Sequence, residues 1–145
     1  MDERSRLLSA LEALTEVESE APPTIHYRKY FEGNRDEECL APNQWGFGRP
    51  SIAELYERFE AIEARSEVQC VLVGMHFFWS EALDDDRIWP AAENVHIYAS
   101  ADEDDVRSWI VGLESDGLYI GWPYGEHPLS PKPMSGFQVY SVCWD

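Results

Sequence analysis

Residues 68–78 read Val-Gln-Cys-Val-Leu-Val-Gly-Met-His-Phe-Phe, the longest nearly continuous apolar run in the chain. The run is too short to span a bilayer, and it is rich in β-branched and aromatic side chains. A strand with one wet face alternates polar and apolar residues, and most of this run does not. It is therefore expected to be a central strand, Val68–Phe78, covered on both faces. The rest of the chain has to supply the covers.

Immediately upstream, Pro50-Ser51-Ile52-Ala53-Glu54 opens a helix. The Ser51 hydroxyl can accept from the Glu54 amide, and the Glu54 carboxylate can reach back to the amide of Ser51. Ile52, Leu55, Tyr56, Phe59 and Ile62 then form an apolar stripe running to about Arg65. Further upstream, Leu7, Leu8, Leu11, Leu14 and Val17 predict a helix over 3–18, which Pro22-Pro23 would end. Thr24–Phe31 alternates well enough for a strand. Glu32–Arg49 has turn signals throughout and is expected to be a loop, pinned to the body by Trp45 and Phe47.

Downstream, Trp79–Ala92 is expected to be a solvent-facing loop with Asp84, Asp85 and Asp86 at its middle. Asn94–Ser100 alternates as a strand. With no helical pattern between it and the central strand, the two are antiparallel if they pair. Ser100 and Glu103 suggest a capping box for a third helix carrying Val106, Trp109, Ile110 and Leu113, stopped at Asp116-Gly117. Leu118–Trp122 and Phe137–Trp144 are two last strands, able to form a long-looped hairpin across the Pro-rich segment 123–136. The order predicts a single α+β domain spanning residues 1–145: a mixed or mainly antiparallel sheet of about four or five strands, with about three helices packed on it in two layers.

Composition narrows function. Hydrophobic residues make up 44% of the 145, which describes a folded globule and not an acidic tail. The N-terminus lacks the pattern of a secretory signal. Cys39, Cys70 and Cys143 are odd in number and widely spaced, as expected for free thiols in a reducing compartment, so a cytoplasmic location is expected. The formal net charge is −17. Residues 1–65 hold 14 acids and 8 bases, residues 66–145 hold 14 acids and only 3 bases. Such a field repels nucleic acid and anionic lipid and attracts a basic protein.

Catalytic and metal-binding motifs do not emerge. His26, His76, His96 and His127 have no ligand spacing with one another or with cysteine, although His76 and His96 lie on adjacent expected strands and could meet. Neither acidic run has the spaced ligands and glycine of a calcium loop. A pair of Cys70 or Cys143 with His96 is conceivable on paper, but both cysteines fall in expected buried strands where a thiol is inert. No phosphate loop or nucleophile elbow is present, and no cofactor is expected.

What remains is the placement of acids. Asp102, Glu103, Asp104 and Asp105 open the third helix, where its dipole favours two of them but four repel one another. Asp84–Asp86 lie on a loop with no helix end to explain them. Trp89, Trp122, Tyr124 and Glu126 also lie in loops. Acids around aromatic residues describe a protein-binding surface that captures arginine and lysine. In size, acidity and lack of catalytic motifs, the chain resembles the immunity proteins of bacterial polymorphic-toxin and contact-dependent inhibition systems. The resemblance is one of general type over the whole chain and carries over no residue assignment. It implies a cognate basic toxin domain, a nuclease or nucleic-acid deaminase, whose active-site surface is occluded. The competing readings are a small enzyme with a carboxylate or His96-centred pocket, and an acidic DNA mimic or adaptor.

Overall fold

The computed structural model describes residues 1–144. The chain forms, in order, α1 (Glu3–Leu14), β1 (Thr24–His26), α2 (Tyr27–Phe31), α3 (Ile52–Glu63), β2 (Val68–Met75), β3 (Ala92–Ala99), α4 (Glu103–Trp109), β4 (Gly117–Ile120) and β5 (Gln138–Cys143), with short 3-10 turns at Pro42–Gln44 and Trp79–Leu83. One sheet runs β1-β2-β3-β5-β4, and every pairing is antiparallel. The α+β class, the β2–β3 pairing and the β4–β5 hairpin follow the sequence expectation.

The two faces of β2 are both covered, by different means. On one face Val71 and Val73 stand opposite Ile97 and Val95 of β3, which in turn face Tyr140 and Val142 of β5. All six are buried in the main core with Leu55, Phe59 and Ile62 of α3. The Ser51 half of the α3 cap is as expected, its Oγ accepting from the Glu54 amide at 3.2 Å, while the first-turn amide of Ile52 donates to Glu37 Oε1 at 2.9 Å. On the other face, Leu72, Tyr98 and Val139 form a small second cluster under Trp122. The 121–137 segment covers this face through polar contacts. The Tyr98 hydroxyl donates to the Pro131 carbonyl at 2.7 Å, and Gln69 exchanges bonds with Lys132 and Met134.

Several expectations are corrected. Thr24–Phe31 is not one strand: β1 stops at His26, whose Nδ1 accepts from the Arg28 amide and starts α2. Tyr27, Tyr30 and Phe31 then bury together at helical spacing. Helix α1 ends at Leu14, leaving Val17 exposed. The α4 cap is Asp102, which accepts from the Asp105 amide at 2.9 Å, not Ser100, and the helix ends at Trp109.

Residues 32–49 are pinned chiefly by Arg49; Phe47 is exposed, and Trp45, though 40% exposed, packs on Arg49. The Arg49 side chain is fully buried, bonds to the carbonyls of Glu37, Leu40 and Pro50, and pairs with Glu37 Oε1 at 2.6 Å. Trp45 lies over its guanidinium. The segment after β2 is not a solvent-facing loop either, since Trp79, Ala82 and Trp89 are core. Arg4 of α1 ties it down by donating to the carbonyls of Ala82, Asp85 and Ile88.

Candidate protein-binding surface

The central strand ends three residues earlier than its apolar run. A register irregularity falls between Gly74 and Met75, and the chain leaves the sheet at His76. His76 Nδ1 accepts from the Phe78 amide at 3.0 Å, and its carbonyl accepts from the Trp79 amide at 3.1 Å. That tight turn throws the two intervening aromatic rings outward. Phe77 is 56% exposed and Phe78 64% exposed, while Trp79 returns to the core at 6%. Two adjacent phenylalanines this exposed are costly in water and call for an explanation.

Around this ridge the surface is concave and acidic. Phe77 and Trp79 wall a cleft of about 360 Å³ whose rim carries Glu18 and Glu20. Phe78 walls a second cleft of about 340 Å³ that holds Glu38, Glu81 and Glu93. Among the described residues, no lysine or arginine lines either cleft. Tyr124 bridges the two: its ring meets Phe77 edge-on at 6.2 Å between centroids, and its hydroxyl donates to Glu93 Oε1 at 3.2 Å. His76 Nε2 stands 3.5 Å from Glu93 Oε2. Glu93 is thus held from two sides with its charge facing the second cleft.

The residues singled out from sequence are divided by the fold. Tyr124 belongs to the ridge. Asp84, Asp85 and Asp86 follow the ridge after one 3-10 turn, and Asp85 is partly spent on Arg87, which holds its carboxyl below the ordinary range. Glu126 is exposed and paired with Lys132 at 2.8 Å. Trp122 is half-buried on the second sheet face, its ring on His96 at 4.3 Å and near Tyr98.

Trp89 is no surface residue: it is 8% exposed, and its indole donates to the Tyr30 carbonyl. Asp102, Glu103, Asp104 and Asp105 lie past the other end of β3, an eight-residue strand and so roughly 23 Å away. There Asp102 caps α4 and Glu103 pairs with Arg107. The two acidic runs therefore do not share one face. Phe77, Phe78, Glu38, Glu81 and Glu93 were not singled out from sequence. The available signal was strand length, because an eleven-residue strand would be nearly twice the common one.

The histidines are engaged locally. His26, His76 and His127 each accept, through Nδ1, from the amide two residues on. Each is a turn-forming residue. His76 and His96 are engaged separately, His76 with Glu93 and His96 with Ser141. The Ser141 hydroxyl donates to the Gly121 carbonyl at 2.6 Å, so His96 Nδ1 carries the proton and donates to Ser141 Oγ. Burial pushes the His96 pKa down to about 3.

Burial also pushes the thiols up, to about 11 for Cys39 and Cys143 and about 12 for Cys70. A neutral imidazole and protonated thiols form no reactive pair at neutral pH. Among the described residues, no trio of His, Cys, Asp and Glu is placed to hold a metal ion. No described helix is long and apolar enough to cross a membrane.

The class these features define is an antiparallel α+β protein with an aromatic ridge set between acidic clefts. The chain belongs to the family described as the Uncharacterized protein YfbO family, whose model matches residues 2–142. No curated protein and no solved structure matches it.

Proposed function

We propose that this protein is a stoichiometric inhibitor that binds a basic protein through the Phe77–Phe78 ridge, and that it serves as an immunity protein against a cognate toxin domain. The carrying observation is the pairing of two exposed phenylalanines with flanking clefts that hold five carboxylates and no lysine or arginine. Exposed aromatics surrounded by charge are the usual anchors of an interface. The carboxylates supply complementarity to a basic partner and speed its approach. A toxin that acts on nucleic acid carries a positive groove for phosphates. An acidic surface seated in that groove inhibits by occupying it, with no chemistry of its own. The charge of −17 supports the same partner class and disfavours direct contact with nucleic acid or anionic membrane.

The test is capture by the immobilised chain from its source cells and from the expressed products of neighbouring genes, alongside a Phe77→Ser/Phe78→Ser variant. One basic domain held at equal stoichiometry by the wild type, lost by the double variant and inhibited in its nuclease or deaminase activity, is the expected result. A wild type that retains no basic protein, or a captured protein held equally by the double variant, overturns the proposal.

A further inference from the structure

The geometry points to the cleft beside Phe78 as the seat of a single arginine side chain presented by the partner. This deepens the reading of the ridge as a docking surface for a basic protein and rests on it. At about 340 Å³ the cleft is at the small end of ligand sites, which span about 300–1,000 Å³. It suits one long side chain better than a cofactor. Its walls include the exposed Phe78 ring and Ala92, and its charge comes from Glu38, Glu81 and Glu93. Glu93 is held in place by Tyr124 at Oε1 and His76 at Oε2, and Glu38 and Glu81 line the same cleft beside it.

Arginine fits this combination better than lysine. Its planar guanidinium stacks on an aromatic ring, grips a carboxylate with two parallel bonds and gives up its weak hydration readily. The acids of the Asp102–Asp105 run serve the start of α4 instead, Asp102 as its cap and Glu103 in a pair with Arg107. One seated arginine would fix the register of the partner, with Phe77 and Phe78 supplying the apolar contact around it.

The experiment follows backbone amide resonances of the full-length protein during titration with Nα-acetyl-arginine amide, Nα-acetyl-lysine amide and Nα-acetyl-citrulline amide. Citrulline keeps the shape of arginine without its charge. The arginine compound is expected to shift amides of residues 38–41, 43, 76–81 and 91–93 saturably, and to bind at least about fivefold tighter than the lysine compound. The citrulline compound should leave these amides unmoved. A Glu81→Gln/Glu93→Gln variant, which keeps the shape of the exposed Glu81 and the half-buried Glu93, should keep its folded spectrum and lose about tenfold in arginine affinity.

Equal responses to citrulline and arginine, lysine binding as tight as arginine, or shifts spread evenly over residues 84–86 and 102–105 would each overturn the arginine seat. Those failures leave the capture experiment untouched. A cleft that binds arginine in a protein that captures no basic partner would instead remove the docking reading on which the seat rests.

Discussion

The two ends of β3 carry comparable numbers of acids and are built for different purposes. At its far end, Asp102, Glu103, Asp104 and Asp105 serve α4: one caps the amides, one pairs with Arg107, and all four sit in the favourable field of a helix start. At its near end, Glu93 faces a cleft opposite Glu38 and Glu81, beside two phenylalanines that the fold leaves in water. The difference lies in the surroundings: the far-end acids serve a helix start, while the near-end acids line a cleft beside exposed aromatic rings. Acid count therefore does not locate a binding surface; acids lining a cleft beside exposed apolar surface do.

His96 lies at the middle of β3, between those two ends. The folded pKa of about 3 is below the ordinary 6.5. The unfolded chain then binds the extra proton in the window between those values. His96 contributes full stability above pH 6.5 and loses it as pH falls toward 3, by something of the order of 5 kcal/mol over the whole window. Urea unfolding of wild type and a His96→Gln variant at pH 7.5 and pH 5 should show the wild-type advantage shrinking by about 2 kcal/mol. An imidazole resonance of His96 titrating near 6.5 in the folded protein would sink this expectation. Gly74 faces the same imidazole: a Cβ there would lie 2.6 Å from His96 Nε2 and closer still to Asn94 Oδ1, so this strand has no room for a larger residue.

At the near end, Phe77→Ser/Phe78→Ser should weaken partner binding about a hundredfold, the scale of losing central aromatic anchors. Thermal stability should change little, because both residues are more than half exposed. An unchanged dissociation rate by surface plasmon resonance would move the interface elsewhere. Reversal of charge at Glu81→Lys/Glu93→Lys should act chiefly on association, slowing it about tenfold at low salt and much less in high salt. A loss independent of salt would mean that the effect is local distortion and not charge.

Much of the fold was legible because short-range periodicity and tertiary burial agree. The α3 stripe and its Ser51 cap, the β2–β3 pairing and the final hairpin all follow from spacing alone. The misses have physical causes. Thr24–Phe31 satisfies both a two-residue and a helical repeat, and the His26 side chain decides between them by capping α2. Arg49 reads as a surface base, and only the fold brings three carbonyls and Glu37 around it. Trp89 and Phe78 are both large apolar residues near loops. The first finds the Tyr30 carbonyl for its indole, and the second is turned out by His76. The ridge was hidden because its two phenylalanines continue an apolar run, so the feature that marks the candidate site looked like more strand.

The smallest effects belong at the far end of β3, and they sharpen the comparison most. Asp102 accepts from the Asp105 amide, so Asp102→Ala should remove a helix cap and lower stability by about 1 kcal/mol, read as a shifted urea midpoint. Asp104→Lys/Asp105→Lys reverses two exposed charges with no aromatic neighbour assigned to the ridge. Association with the partner should slow by no more than about threefold, through the general field alone, and the dissociation rate should stay the same. If this pair instead matched the effect of Glu81→Lys/Glu93→Lys, the partner would have to reach both ends of an eight-residue strand. The protein would then be acting through its whole acidic field and not through the ridge. A small effect here beside a large one there would mean that location, and not charge alone, makes the surface.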